Sequence, residues 1–268
     1  MNIIRQAALA GKFYSPNPRQ LANDVRQMLD AAEVVECQPK ILIAPHAGYE
    51  FSGPIAASAY ATLGSRRSTI QRVVILGTCH TSRRPEILTT SADSFETPLD
   101  PIKTDASSIQ MAVRHGLAVI DDQAHQSEHA IEIQLPFLQL TLDNFEIAPF
   151  LVRAVPVEQV VDLIRLLWGG SETIFVISSD LSHHRQYEHA NAIDQQTAEF
   201  IVQLDDKSLD ETRACGYRAI AGALRVAREK SLQCVKLELR NSGDTGGTQD
   251  RVVGYGAFAF NPMVDDSS

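Results

Sequence analysis

Three stretches decide the fold: Ile41-Leu42-Ile43-Ala44-Pro45-His46-Ala47-Gly48-Tyr49, Val73-Val74-Ile75-Leu76-Gly77-Thr78-Cys79-His80, and Ile174-Phe175-Val176-Ile177-Ser178-Ser179-Asp180-Leu181-Ser182-His183-His184. Each opens as a short, continuous apolar run, the pattern of a strand buried on both faces of a parallel sheet. Each carries a histidine at or just past the strand's carboxyl end. In an α/β sheet those ends form the rim where ligands bind. Three imidazoles on one rim point to a metal or proton-transfer site.

Outward from these runs, strand and helix patterns alternate. Residues 18–32 have helical spacing, with Leu21, Val25, Met28 and Leu29 on one face. The first strand, Lys40–Ala44, is stopped by Pro45, and Ser52 is placed to cap a helix reaching Leu63. Arg72–Leu76 is the second strand, and Glu86–Thr89 reads as a short one. Residues 92–102 look irregular. Helices are expected over Asp105–His115 and Ser127–Leu142, then a strand over Ile147–Val152. Pro156 opens the next helix at its first position, and Thr173–Ser178 is the third histidine-bearing strand. Helices over 187–204 and 216–229 follow. Two long strands, 232–240 and 252–260, close the chain as a hairpin around the glycine-rich Asn241–Thr248. The expectation is one α/β/α sandwich with a central mixed sheet, a single domain over residues 1–268.

The composition narrows the function. The 268 residues are 44% hydrophobic and carry a formal net charge of −9. That balance argues against nucleic acid as a partner, since phosphate backbones are met by clustered Lys and Arg. No run of about 18 apolar residues is present, so no transmembrane helix is expected. The amino terminus lacks the apolar core of a signal peptide. Four cysteines, Cys37, Cys79, Cys215 and Cys234, form no CxxC pair and no disulfide framework. The expected setting is cytoplasmic, with reduced thiols and no membrane association.

Several residues carry chemistry. His46 lies on a tight turn between Pro45 and Gly48, and His80 follows its strand in the same way. Asp180 and His183 are three apart, a spacing that on a helical turn brings a carboxylate to an imidazole and makes it a better base. Glu128 and His129 begin a helix, where Glu128 suits the amino end. Cys215 precedes another helix, where a thiol gains thiolate character. Each has a plainer reading: a loop histidine, an N-cap, a solvated helix face, a buried structural thiol. No phosphate loop or G-x-S-x-G nucleophile elbow is present.

The ordered set resembles a known family. Ala10-Gly11-Lys12-Phe13-Tyr14-Ser15-Pro16, Pro45-His46-Ala47-Gly48-Tyr49, Leu76-Gly77-Thr78-Cys79-His80, Glu128-His129-Ala130-Ile131-Glu132-Ile133-Gln134-Leu135-Pro136-Phe137, Ser178-Ser179-Asp180-Leu181-Ser182-His183, Cys215-Gly216, Ser242-Gly243-Asp244 and Val253-Gly254-Tyr255-Gly256-Ala257-Phe258 resemble the Memo family. Its prokaryotic members are also called AmmeMemoRadiSam system protein B. The resemblance spans nearly the whole chain. It implies a fold similar to LigB-type class III extradiol dioxygenases, non-haem Fe(II) enzymes with two histidines and a glutamate on the iron. By that resemblance His46 and His80 are the histidine ligands, and Cys215 stands where the dioxygenase has its carboxylate. His183, with Asp180 beside it, stands at the catalytic histidine, and His129 would line the pocket. A thiolate in place of a carboxylate moves metal preference from Fe(II) toward copper or zinc and makes the site oxidisable.

Three functions follow as expectations. The first is a mononuclear Fe(II) or Cu site that oxidises a small substrate, with His183 as acid/base. The second is a non-catalytic module that binds a peptide or protein partner in a relic pocket. The prokaryotic family name implies a radical-SAM protein and an AMMECR1-type protein as partners. The third is a hydrolase using zinc-bound water.

Overall fold

The computed structural model describes residues 3–33 and 35–262. In chain order the elements are β1 (Ile4–Arg5), α1 (Pro18–Ala31), β2 (Ile41–Ala44), α2 (Tyr49–Ala61), β3 (Arg72–Thr78), β4 (Leu88–Thr89), β5 (Ser94–Phe95) and β6 (Ile102–Lys103). Next come α3 (Ala106–Arg114), β7 (Val119–Ile120), α4 (Asp122–Gln126), α5 (His129–Glu132), α6 (Leu135–Thr141), β8 (Glu146–Val152), α7 (Val157–Leu166) and β9 (Thr173–Ser178). The chain closes with β10 (His183–Arg185), α8 (Tyr187–Val202), α9 (Tyr217–Glu229), β11 (Leu232–Asn241) and β12 (Val252–Pro262).

The three histidine-bearing runs lie side by side. Among the described residues the main sheet has nine strands in the order β10-β12-β2-β9-β3-β8-β4-β7, with β11 also paired to β12. β2, β9, β3 and β8 are mutually parallel, while β12 runs antiparallel to β2 and β4 antiparallel to β8. The carboxyl ends of β2, β9 and β3 therefore share one edge, with Ser178 of β9 in register with Ala44 on one side and Gly77 on the other.

Both faces of the sheet are apolar because both are covered. Leu42, Val73, Ile75, Ile174 and Val176 pack on one side with residues of α1, α2 and α6. Ile41, Ile43, Val74, Leu76, Phe175 and Ile177 pack on the other with residues of α7, α8 and α9. The alternation follows from the two-residue period of a strand. The result is an α/β sandwich with a mixed sheet. No helix among the described residues is long and apolar enough to cross a membrane.

Four local expectations change. The second helix starts at Tyr49, not at Ser52, because Phe13 carbonyl takes the otherwise orphaned Tyr49 N–H at 2.8 Å, while the Ser52 hydroxyl donates back to the Ala47 carbonyl. Pro156 is the cap residue of α7 and not its first helical residue. The stretch 92–102 holds β5 and β6, which join β1 in a small separate sheet. Strands of two residues show no sequence period, and their partner β1 lies about ninety positions away. Ser127–Leu142 is not one helix. The Glu128 side chain accepts from His129 N–H and Ala130 N–H and starts α5 afresh, and Pro136 restarts the chain at the first turn of α6.

A buried ion pair ties the amino-terminal segment to α5. Arg5 and Glu132 side chains are 5% and 0% exposed and in direct contact. The Glu132 carboxylate also accepts from Leu9 N–H at 2.9 Å, Ala8 N–H at 3.1 Å and the Tyr14 hydroxyl at 2.5 Å. Burial and this carboxylate hold the Tyr14 phenol far above its ordinary pKa. Breaking a buried pair from one side strands a charge and costs about 3–5 kcal/mol. Glu132→Gln is therefore expected to lower the unfolding free energy by about that amount, read as a fall in urea midpoint with unchanged slope. A midpoint equal to that of the native protein would show that the pair contributes nothing.

Candidate functional site

Pro45 ends β2 and delivers His46, which is fully buried, onto the shared rim. Its backbone N–H donates to Asp180 Oδ1 at 2.8 Å, and its Nδ1 lies 2.8 Å from Ser178 Oγ. The Ser178 hydroxyl fixes the tautomer. It spends its single proton on the Ala130 carbonyl at 2.5 Å and accepts from Gln134 Nε2 at 2.8 Å. Gln134 has no freedom to turn over, since Nε2 also donates to the Pro45 carbonyl and Oε1 accepts from the Tyr60 hydroxyl. Only an acceptor position remains on Ser178, so His46 Nδ1 carries the proton. In the neutral ring Nε2 is then the acceptor, and it lies 3.4 Å from Cys215 Sγ.

His80 is fixed by a different group with the same outcome. Glu128 Oε1 receives His80 Nδ1 at 2.8 Å, and Oε2 receives the His80 backbone N–H at 2.5 Å. The same Oε1 accepts from His129 N–H and Ala130 N–H. With Nδ1 donating, His80 Nε2 is free for a ligand. Burial of the His80 ring disfavours its cation, but hydrogen bonds to Cys215 and Glu128 outweigh this and hold its pKa above the ordinary value. Burial acts against the Glu128 charge too, yet the bonds from His129 and His80 keep the carboxyl far below its usual range.

Cys215 arrives from the start of α9, whose cap residue is Gly216. Its backbone N–H donates to the Asp180 carbonyl at 3.2 Å, and Gly216 N–H donates to Ser179 Oγ at 2.8 Å. The helix start is thus tied to the loop after β9. Thr78 Oγ1 lies 3.4 Å from the sulfur. The result is one compact donor set: the ligand atoms of His46, His80 and Cys215 all lie within 4.8 Å of one another. Two imidazoles, each with Nδ1 held by an outer group, and one thiol suit a transition metal ion of borderline to soft character. Each histidine has its second nitrogen held by an outer group, the arrangement that orients metal ligands.

His129 stacks on His80 with ring centroids 4.3 Å apart and meets His46 edge-on at 5.1 Å. Gly77 permits this close approach of α5: a Cβ there would sit 2.9 Å from the Ala130 Cβ. His183 departs from expectation. It does not end β9 but lies in β10, paired with Val253 of β12, on extended backbone and not on a helical turn. Its Nδ1 donates to the Leu181 carbonyl at 2.9 Å, while Nε2 is 4.0 Å from Asp180 Oδ2. The Leu181 carbonyl, not Asp180, sets its tautomer. Asp180 holds the backbone of His46 instead. The sequence reading also missed Ser178, Gln134 and Glu132 as organisers. Their signal was present: polar side chains set among core residues at Ala130–Leu138 and at a strand end.

A groove of about 1020 Å³ runs beside the site, between α1, α2 and β11, lined in part by Phe13, Met28, Glu50, Phe51 and Glu238. It meets the site at Phe13, whose ring lies 5.2 Å from that of His129.

Comparison with known proteins agrees with the motif order. A family model described as Memo-like protein matches residues 5–259. A MEMO1 family protein of Methanosarcina barkeri is 32% identical over 270 residues, covering 95% of this chain and 99% of its own length. Those of Methanosarcina mazei and Saccharolobus solfataricus are each 31% identical, covering 95% and 96% of this chain and 98% and 99% of their own. With family motifs, matched length and identity in accord over almost every residue, this chain belongs to the Memo family.

Proposed function

We propose that His46, His80 and Cys215 hold one redox-active metal ion, iron or copper before zinc, and that the protein is a metal-dependent oxidoreductase acting on a small substrate. The observation that carries this reading is the convergence of three ligand atoms within 4.8 Å, from segments up to 169 positions apart. A bound iron or copper ion would supply one-electron chemistry and a Lewis-acid position for substrate. The chain's own residues do the rest. Ser178 and Glu128 keep both imidazoles in the ligating tautomer. His129, stacked on His80, walls one side of the site. His183 would handle a proton beside Asp180, whose Oδ1 holds the His46 N–H and whose Oδ2 lies 4.0 Å from His183 Nε2.

A second reading has the groove beside Phe13 in its favour. In it, the protein is a module that binds a peptide or protein partner, and radical-SAM and AMMECR1-type proteins are the partner classes proposed. Retention of partner binding by a His46→Ala, His80→Ala double variant would favour this reading over catalysis.

Anaerobic titration with Fe(II) and with copper tests the first reading. One ion per chain is expected, with a sulfur-to-metal charge-transfer band that disappears in Cys215→Ser. An unchanged band in that variant would remove Cys215 from the ligand set, and absence of binding by the native chain would sink the proposal. Glu128→Gln is expected to weaken the same ion about 10–100-fold, the usual cost of losing an outer partner of a histidine ligand. Competition with a chelator measures it, and an unchanged affinity would show that Glu128 serves only to start α5.

A further inference from the structure

Asp194, on α8, is a buried acid without a cation. It is 2% exposed and joins no ion pair among the described residues. Its Oδ1 accepts the Ser182 N–H at 3.0 Å and its Oδ2 the Ser182 hydroxyl at 3.1 Å. Ser182 is fully buried and immediately precedes His183. Its carbonyl accepts Gly254 N–H, and Leu181 N–H donates to the Gly254 carbonyl, both at 2.8 Å. Every polar group of Ser182 is thereby held, two of them by one carboxylate. β12 leaves room for that carboxylate only because residue 254 is glycine: a Cβ there would lie 1.9 Å from Asp194 Oδ2.

We propose that Asp194 is a positioning residue, whose carboxylate grips the Ser182 N–H and hydroxyl and so fixes the segment that carries His183 beside Asp180. Its bearing on proton handling rests on the role given to His183 above; the grip itself does not. Other elements pack against α8, and their ionisable groups include His183 and Arg185 on β10, Tyr255 on β12, and Glu238 and Arg240 on β11. Burial acts on Asp194 and is opposed only by the two bonds from Ser182, so its pKa is pushed up to about 6. The sign follows. A folded-state value above the ordinary carboxylate value means the charged form costs stability at neutral pH, and that cost fades as pH falls through about 6 toward 4. Protonation also rearranges the grip. A carboxylate accepts both Ser182 hydrogens, whereas a carboxylic acid must donate one of its own, and the Ser182 hydroxyl must turn away.

NMR on the full chain, with no added metal and no turnover, tests this. The Ser182 amide resonance is expected to step with a midpoint near 6. In Asp194→Asn the Ser182 step should vanish, and the Ser182 and His183 amide resonances should shift from their native positions. A Ser182 amide resonance unmoved by Asp194→Asn would overturn the proposal. So would a step that survives in Asp194→Asn but is lost in His183→Gln, since it would then belong to His183. If Asp194→Asn does not fold, Ser182→Ala removes only the hydroxyl. The midpoint of the Asp194 carboxyl carbon should then rise, and an unmoved midpoint counts against the grip. A protein that shows the step yet takes up no metal would keep this inference and lose the metal reading; the reverse result would do the opposite.

Discussion

The Ser178 hydroxyl has one proton and two lone pairs, and three groups converge on it: the Ala130 carbonyl, Gln134 Nε2 and His46 Nδ1. Its valence is filled, so His46 Nδ1 must be the donor toward it, by simple counting. Its location explains its reach. β9 lies between β2 and β3, so its last residue sits where both neighbouring rims meet. Ala130 and Gln134 belong to the α5–α6 segment, so the same hydroxyl registers that segment over the rim. The segment in turn carries Glu128, which orients His80. The two imidazoles follow different strands, yet their ring orientations share one hydrogen-bonded chain.

Glu128 and Glu132 are four residues apart and act in different directions. Glu128 binds the rim through His80, and Glu132 binds the amino-terminal segment through Arg5, Ala8, Leu9 and Tyr14. Two buried carboxylates on so short a helix are costly unless each is saturated with donors, and both are. The short α5 is thus a junction. Sheet rim, site histidines and amino-terminal segment all meet on it, and Phe13 is brought against His129 from that segment.

The core strands were legible in the sequence because β2, β9 and β3 are buried on both faces, and such strands read as unbroken apolar runs. His46 and His80 follow those runs directly, so their convergence could be expected from position alone. Cys215 needed the family resemblance, since nothing local marks it as facing the rim. The break of Ser127–Leu142 into separate helices was hidden because its apolar spacing is helical throughout. The interruption comes from Glu128 turning its side chain onto its own helix start. β5 and β6 were hidden because their pairing is set by distant β1. Ser178 and Gln134 show in the sequence only as polar residues among core ones, and their partners do not, because a buried hydrogen-bond network has no sequence period. The Asp180–His183 spacing was read on a helical turn, while pairing with β12 makes the backbone extended there.

The separation of the site's parts along the chain also bears on how the molecule forms. His46 and Ser178 are 132 positions apart, and His46 and Cys215 are 169 apart. Contacts of such range form only after long loops have been closed, and chains dominated by them fold slowly. His46, His80 and Cys215 lie on three separate segments, so an ion that needs all three meets them together only in the folded sheet, unlike the local ligands of a zinc finger. The sheet must assemble first, and the cluster of His46, His80 and Cys215 is a late product of that assembly. A ligand restricted to the finished structure stabilises it in proportion to its free concentration. Such a ligand would act on how long the folded molecule persists, and not on how it is reached.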